Sequence, residues 1–227
     1  MDRSSGIGAR PDPVHEEVLA EAQRRVLRAV GPRLSAAGFY LVGGTGVALR
    51  LGHRQSVDLD WFRTDPIEDP LALAGELGVG GPRWHVEGLA PGTLHARVDG
   101  VAVSLLRYTY PLLAPLLDWP EYGCRLASLE DLGCMKLAAI AQRGAKKDFF
   151  DLHALLRAGQ TLPQLLQAFA RKYSNADPAP VLVGLSYFDE ADLDPDPVRL
   201  TAPAWETVRE EIRQATLAVV GTRHQAG

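Results

Sequence analysis

The chain has 227 residues, of which 46% are hydrophobic and 23% are charged, and its formal net charge at pH 7 is -4. This composition predicts a globular protein with a buried core, and the acidic balance excludes a surface coated in positive charge for binding nucleic acid. Cys124 and Cys134 indicate neither a disulfide framework nor a structural zinc site. No apolar run approaches the roughly 20 residues of a membrane-spanning helix, so we expect a cytoplasmic protein with no membrane partner.

Residues 1–13 are polar, rich in Gly and Pro, and expected to form a flexible arm without the apolar centre of a secretory signal. Residues 14–120 then alternate between helical and strand patterns. Asp99-Gly100 separates two alternating runs, which is a strong hairpin signal. The elements predicted here are helices at 14–34, 45–51 and 71–77, and strands at 39–42, 57–62, 83–87, 93–98 and 101–108.

Residues 121–227 are mostly helical in pattern. Ser128 can cap one helix, which Gly144 ends, and Gly159 follows the end of the next. The remaining predictions are helices at 147–157, 162–172 and 205–219, with a loop at 189–197. The fold class expected is therefore α+β (α/β): a mixed or antiparallel sheet with flanking helices, followed by a mostly helical C-terminal part.

Gly43 and Gly44 lie between the first predicted strand and the helix that begins at Thr45. Free main-chain N–H groups and the helix dipole at such a junction favour an anion, and phosphate is the anion expected. Glycine pairs also end strands for purely steric reasons, so this turn alone leaves both interpretations open.

The next predicted strand carries two aspartates, Asp58 and Asp60. Alternation along a strand places both on one face and Val57, Leu59 and Trp61 on the other. Because neighbouring carboxylates repel, the pair implies either good solvation or a cation between them. A hard cation such as Mg²⁺, bound together with substrate phosphates, would match the glycine turn upstream.

The segment GGTGVALRLGHRQSVDLDWF, residues 43–62, resembles the signature of nucleotidyltransferase-fold proteins of the AbiEii/AbiGii toxin type. Residues 136–152 resemble the second block of that family, and residues 185–189 resemble a tail element. The resemblance covers roughly residues 35–212. It implies the DNA-polymerase-β-like nucleotidyltransferase fold, with Gly43, Gly44 and Thr45 at the phosphates and Asp58 and Asp60 binding Mg²⁺ or Mn²⁺.

In the wider superfamily a third carboxylate on a neighbouring strand completes the metal site and can act as general base. The strand from residue 101 would carry it here, and the position facing the site is Ser104, which cannot serve as that carboxylate. Asp99 or Glu87 could substitute only if the sheet brings one of them near. A weak or inactive enzyme is therefore an alternative.

In the second block, Asp148 falls within the apolar arc of the helix over residues 147–157, and Asp151 lies at its edge. A buried carboxylate needs a partner, and Lys136 on the preceding helix is the nearest logical one. Lys136 could bind the triphosphate while Asp148 orients Lys136 or the base of the nucleotide, or the two could form a structural salt bridge. Lys147 and Asp151 are expected to form a surface pair.

The loop before the acidic strand, which carries Arg54 and Ser56, would border the triphosphate, and Arg54 could neutralise its charge. His53 on the same loop is expected to be exposed. Trp61 and Phe62 are expected to pack the sheet against helices, although an aromatic side chain beside the metal could stack a base. Three other histidines, His85, His95 and His153, have no ligand-like spacing and receive no role.

We hypothesise a magnesium-dependent nucleotidyltransferase toxin that transfers a nucleotide from a nucleoside triphosphate to RNA, notably tRNA, or to protein, beside a cognate antitoxin. The alternatives are a catalytically silent nucleotide-binding scaffold and an antibiotic-modifying nucleotidyltransferase. The predicted catalytic residues are Asp58, Asp60, Lys136 and Asp148, and the predicted nucleotide-binding residues are Gly43, Gly44, Thr45, Arg54, Ser56 and Lys136. Scattered basic residues, Arg143, Lys146, Lys147, Arg171 and Lys172, could contact RNA but are more often an ordinary solvated surface.

Overall fold

The computed structural model describes residues 13–174 and 176–225, so the predicted arm lies outside the described residues except for Pro13. Seven strands of this described part form one mixed sheet, with helices against it, which confirms the predicted fold class. The strands are β1 (Tyr40–Val42), β2 (Leu59–Arg63), β3 (Trp84–Ala90), β4 (Thr93–Val98), β5 (Val101–Arg107), β6 (Leu117–Trp119) and β7 (Cys124–Leu126). Their order across the sheet is β3-β4-β5-β2-β1-β7-β6.

Strand β2 lies at the centre of the sheet and carries Asp60. It runs antiparallel to β1, where Asp60 lies opposite Val42, and parallel to β5, where Asp60 lies opposite Ser104. Strands β3, β4 and β5 form an antiparallel meander. Its last turn is Asp99-Gly100, with φ values of 46° and 86°, as the two-residue hairpin signal predicts.

The helices of the described residues divide between the sheet and a C-terminal bundle. They are α1 (Glu21–Ala36), α2 (Gly43–Leu51), α3 (Pro70–Gly78), α4 (Leu129–Arg143), α5 (Lys146–Arg157), α6 (Leu162–Lys172), α7 (Ala179–Gly184), α8 (Asp189–Leu193) and α9 (Trp205–Gln225). Ser128 Oγ accepts from the N–H of Asp131 at 3.0 Å at the start of α4, and Gly144 ends that helix with φ +54°, as predicted.

The described residues form three apolar clusters, and the two larger ones lie on one face of the sheet and among the C-terminal helices. Leu59 and Trp61 point to one face of β2 and belong to a core that includes residues of α1 and α3. A second core joins α4, α5, α6 and α9. Asp60 therefore points to the opposite face of β2 from Leu59 and Trp61, towards the side on which α4 and α5 pack.

The structure differs from the predictions at three places. The helix expected at 14–34 is broken, because the side chain of Gln23 accepts from the N–H of Ala20 at 2.9 Å and starts α1 there. The strand expected at 57–62 begins only at Leu59, which leaves Val57 72% exposed rather than in the core. Part of the loop expected at 189–197 is the short helix α8.

Strands β6 and β7 are absent from the predictions because each has three residues, too few for a periodic pattern. Strand β7 pairs in parallel with β1, so the sheet continues past residue 120. The division into a core at 14–120 and a helical region at 121–227 stays a prediction. Among the described helices, none combines the length and apolar character needed to cross a membrane.

Candidate functional site

The junction between β1 and α2 lies directly against the carboxylate of Asp60. Gly43, the first residue of α2, has φ +67°, and a Cβ built on it would lie 2.2 Å from Asp60 Oδ2. Any other residue would have to adopt a left-handed conformation and displace the carboxylate. Glycine is thus required at position 43 by the left-handed backbone and by the nearby side chain of Asp60. It brings the predicted phosphate-binding turn into contact with a predicted metal ligand.

Asp58 and Asp60 lie side by side at the start of β2. Burial raises the pKa of the Asp60 carboxyl, and the charge of Asp58 raises it further, while Lys136 and Lys147 act in the opposite direction. The Asp58 side chain is 44% exposed, and its Oδ2 lies 3.8 Å from Lys147 Nζ. Two neighbouring carboxylates, one of them poorly solvated, form a site where a cation would relieve the repulsion.

This pair of acids fits Mg²⁺ better than a metal held by protein alone. No group of three or more metal-ligating side chains is assembled within the described residues. Mg²⁺ is commonly held by one or two carboxylates, with water and substrate phosphates completing its octahedron. Asp58 and Asp60 supply those carboxylates, and the N-terminus of α2 adjoins Asp60 on the side where a phosphate could bind.

A cavity of about 510 Å³ opens beside Asp58. Its walls include Val57, Lys147, Pro197 and Val198. The exposure of Val57 follows from this position, because it precedes β2 and faces the cavity instead of the core. The volume lies within the range of small-molecule sites, and the walls combine two cations, Arg54 and Lys147, and three aspartates, Asp58, Asp194 and Asp196, with apolar groups.

Thr45 and Ser56, both predicted at the phosphates, are buried against each other. Thr45 Oγ1 lies 2.8 Å from Ser56 Oγ and also donates to the main-chain carbonyl of Asp58. The two hydroxyls therefore fix the loop that delivers Asp58 to the site. The N–H group of Thr45 remains at the start of α2, where it can contribute to anion binding.

Beneath the acidic pair lies a buried ion network centred on Asp151. Arg54 Nε and Nη2 donate to Asp151 Oδ1 and Oδ2 at 2.7 and 2.9 Å, and Lys136 Nζ lies 2.7 Å from Oδ2. His53 Nε2 lies 2.8 Å from Oδ1. Although complete burial alone would raise the pKa of Asp151, the charges of Lys136 and Arg54 hold it well below its usual value.

Asp148 extends this network towards solvent. Lys136 Nζ donates to Asp148 Oδ1 at 2.8 Å, and Arg143 Nε donates to Oδ2 at 2.9 Å. Burial alone would raise the pKa of Asp148, but Lys136 and Arg143 together lower it. Conversely, burial would lower the pKa of Lys136, and the charges of Asp151 and Asp148 raise it. All of these groups are therefore charged at neutral pH.

Two expectations for charged side chains are wrong. Asp151 does not form a surface pair with Lys147, because it is fully buried on Lys136 and Arg54, while Lys147 faces Asp58. His53 is buried rather than exposed, since its ring fills the space against Asp151.

Two of the scattered basic residues also do not belong to a solvated surface. Lys172 is fully buried on Asp131, with Nζ 2.7 Å from Oδ1, and Lys146 is buried beside Asp194 and Asp196.

Ser104 lies where the sequence predicts it, opposite Asp60 in the register of β2 and β5, and its hydroxyl lowers the pKa of the Asp60 carboxyl. Glu87 lies on β3, with two strands between it and β2, and pairs with Arg97 at 2.8 Å. Asp99 accepts from the N–H of Arg83 at 3.1 Å in the hairpin turn. Neither acid therefore substitutes at the Ser104 position.

Sequence reasoning missed Arg143 and Lys147 as parts of the site. Both side chains are about half exposed, at 58% and 50%, and both are anchored by carboxylates of the site. Arg143 is the last residue of α4, and Lys147 lies in the first turn of α5. The two residues are only four positions apart and flank the start of α5. This spacing is the sequence signal from which their presence in one site could have been predicted.

Comparisons with known proteins agree with this geometry. The family model described as "Nucleotidyl transferase AbiEii toxin, Type IV TA system" matches residues 25–219. The chain is 36% identical over 196 residues to an uncharacterized protein of Aquifex aeolicus (strain VF5). The aligned region covers 85% of this chain and 93% of that protein.

Two solved structures share the fold at low identity. MenT4, a nucleotidyltransferase toxin from Mycobacterium tuberculosis H37Rv, matches with a TM-score of 0.53 and 20% identity, over 89% of this chain and 87% of that one. JHP933 from Helicobacter pylori matches with a TM-score of 0.52 and 18% identity, over 92% and 96% of the two chains. The family match spans most of the sequence and includes both acidic and glycine motifs, so this chain belongs to the AbiEii nucleotidyltransferase toxin family.

Proposed function

We propose that this protein is a magnesium-dependent nucleotidyltransferase toxin that transfers a nucleotide from a nucleoside triphosphate to a hydroxyl group of RNA, with tRNA as the first candidate, or of protein. The observation that carries the proposal is the contact between Gly43 and Asp60. It joins an anion-binding helix start to a carboxylate whose raised pKa reflects burial and the neighbouring Asp58. Phosphate and metal would therefore be held at one point.

In this proposal Asp58 and Asp60 hold the metal, and the N–H groups of Gly43, Gly44 and Thr45 hold phosphate oxygens. The metal, when bound, neutralises phosphate charge and aligns the leaving pyrophosphate. The cavity beside Asp58 supports this assignment, because its volume suits a small molecule such as a nucleotide.

Lys136 and Asp148 act one layer below the phosphates. The charge of Lys136 lowers the pKa of Asp60 and so helps to keep that carboxylate ionised for the metal. Asp148 holds the guanidinium of Arg143 through Oδ2, with Nε at 2.9 Å. Arg143 and Lys147 are the exposed cations of the site, and we assign them to the triphosphate.

Arg54 belongs to the same supporting layer. Its Nη2 lies against Gly44, where an added Cβ would be 2.4 Å away, and two of its three nitrogens, Nε and Nη2, donate to Asp151. From this position it adds positive potential behind the glycine turn while fixing the loop that leads to Asp58. The toxin–antitoxin classification of the family supports a cognate antitoxin as a further partner.

A second candidate function is a silent nucleotide-binding scaffold. Ser104 favours it, because a hydroxyl stands opposite Asp60 where a carboxylate would act as general base. Such a protein would bind a nucleoside triphosphate with Mg²⁺ and release neither pyrophosphate nor a labelled product.

The test is to incubate the purified protein with Mg²⁺, each labelled nucleoside triphosphate and either total tRNA or a cell protein extract. We expect label in one acceptor, and its loss in the Asp58→Ala/Asp60→Ala double variant. Asp118→Ala, an exposed aspartate on β6, is the matched control and should retain transfer. Metal-dependent nucleotide binding without label in any acceptor would contradict the transferase proposal in favour of the scaffold.

A further inference from the structure

A row of polar side chains crosses the sheet from the acidic site towards its open edge. Asp60 on β2 lies opposite Ser104 on β5, and Ser104 lies opposite His95 on β4. Residues that face each other across neighbouring strands point to the same side of a sheet, and strands lie about 4.8 Å apart. The imidazole of His95 is therefore two strand spacings from Asp60 and on its face.

The polar contacts along this row define where the proton of each group lies. Ser104 lies opposite Asp60, and its hydroxyl lowers the pKa of that carboxyl, as a hydroxyl does when its proton points at a carboxylate, which can only accept. Ser104 Oγ must then accept from His95 Nδ1, which lies 3.1 Å away. This arrangement requires the tautomer with the proton on Nδ1, and it leaves the lone pair of Nε2 free.

The free nitrogen of His95 is accessible. The side chain is exposed, and a bulge in β3 places Gly88 rather than a larger residue opposite His95. The charged and titratable groups on the same face are Arg97, paired with Glu87, and His85 on β3, besides Asp60 beyond Ser104. Helix α3 packs on the other face of the meander, so it does not cover the ring.

We infer that His95 is the general base of the transfer reaction, in the place of the missing third carboxylate. His95 Nε2 takes the proton from the acceptor hydroxyl as the oxygen forms its bond to the α-phosphorus. The bond from that phosphorus to the pyrophosphate oxygen breaks, and pyrophosphate leaves with the bonding electron pair. Ser104 transmits the negative charge of Asp60 to the ring and stabilises the imidazolium that forms.

This inference rests on the proposed function, and its test separates the two. Transfer is measured against pH for the wild type, His95→Gln and the control His85→Gln, an exposed histidine on β3 of the same face. We expect His95→Gln to lose about 10²–10⁴-fold in kcat. It should also lose the acidic limb of the pH profile, while nucleotide binding and His85→Gln remain unchanged. A fast His95→Gln enzyme, or a slow one that keeps the acidic limb, would overturn the assignment.

A second readout does not depend on activity. The ¹⁵N chemical shifts of the His95 ring report its tautomer in the free protein, and we expect the Nδ1–H form in the wild type. Ser104→Ala should remove that preference, because it removes the acceptor at 3.1 Å. A wild-type ring that is mainly in the Nε2–H form would refute the role of His95. If the tautomer is as expected but no acceptor takes label, the proposed function fails and the base has no reaction to serve.

Discussion

Arg54 and Asp151 form a bidentate ion pair in the interior, with Nε 2.7 Å from Oδ1 and Nη2 2.9 Å from Oδ2. Arg54 is 3% exposed and Asp151 is fully buried. The pair fastens the loop before β2 to helix α5. Because that loop delivers Asp58 and helix α5 delivers Lys147, the geometry of the exposed site depends on this contact below it.

Gly43→Ala is expected to reduce both stability and nucleotide binding. The left-handed backbone alone costs about 1–2 kcal/mol for a residue with a Cβ, and the methyl group would meet Asp60 Oδ2 at 2.2 Å. Gly80→Ala is the matched control, because Gly80 has φ +61° and an added Cβ there meets nothing within 4 Å. Chemical denaturation and metal-dependent nucleotide binding should separate the two variants. Equal effects of both would contradict the Asp60 contact.

Lys136→Met should lower the free energy of unfolding by about 3–5 kcal/mol, because it leaves buried carboxylates without their shared cation. Lys147→Met should change it by less than about 0.5 kcal/mol, since that side chain is half exposed, yet it should weaken triphosphate binding. Denaturant titration measures the first effect and nucleotide affinity the second. Stability losses of similar size in the two variants would exclude the buried network as described.

Arg143→Gln should move acid unfolding to higher pH. The pKa of Asp148 is lowered from 3.8 in the folded protein, so its ionisation stabilises the fold above that value and the stabilisation is lost as pH falls through the folded pKa. Without Arg143 the folded pKa lies closer to 3.8, so less stability is present at neutral pH and acid removes it sooner.

The measurement for this prediction is the unfolding midpoint in denaturant at a series of pH values from about 5 down to about 1. Arg213→Gln serves as the control, because Arg213 pairs with Glu210 on the surface of α9, where both side chains are about half exposed. Superimposable acid transitions for wild type and Arg143→Gln would mean that Arg143 does not hold the Asp148 pKa down.

Lys172→Met and Arg171→Met differ by one position and should behave oppositely. Lys172 is fully buried, with Nζ bonded to Asp131 and to the carbonyl of Pro111, so its loss should cost about 3–5 kcal/mol. Arg171 is 59% exposed, and its pair with Glu130 should contribute less than about 1 kcal/mol. Thermal unfolding of the two variants checks this contrast, which a similar melting temperature would contradict.

The parts of the fold with strong local signals could be predicted from sequence. The Asp99-Gly100 hairpin and the Ser128 cap are confirmed because each depends on residues within a few positions. Strand β7 has three residues and exists through its pairing with β1, so no local period reveals it.

In the candidate site, too, some contacts could be predicted from the sequence and others could not. Asp60 beside Gly43 follows from two short motifs, and the register that puts Ser104 opposite Asp60 follows from alternation along β5. The partners of Asp151 could not be found, because Arg54 lies 97 residues away in the chain and only tertiary packing brings them together. His95 was given no role for the same reason, because its contact is with Ser104, a residue on another strand.

The buried network also restricts how this sequence can change. Its charges come from two distant segments, the loop at 53–54 and the helices at 136–151. Recombination with a related gene between these segments would combine an arginine from one parent with carboxylates from the other. Since neither charge tolerates a neutral partner, such hybrids should fold only when both parents keep the same ionic arrangement, and the two segments should be inherited as a unit.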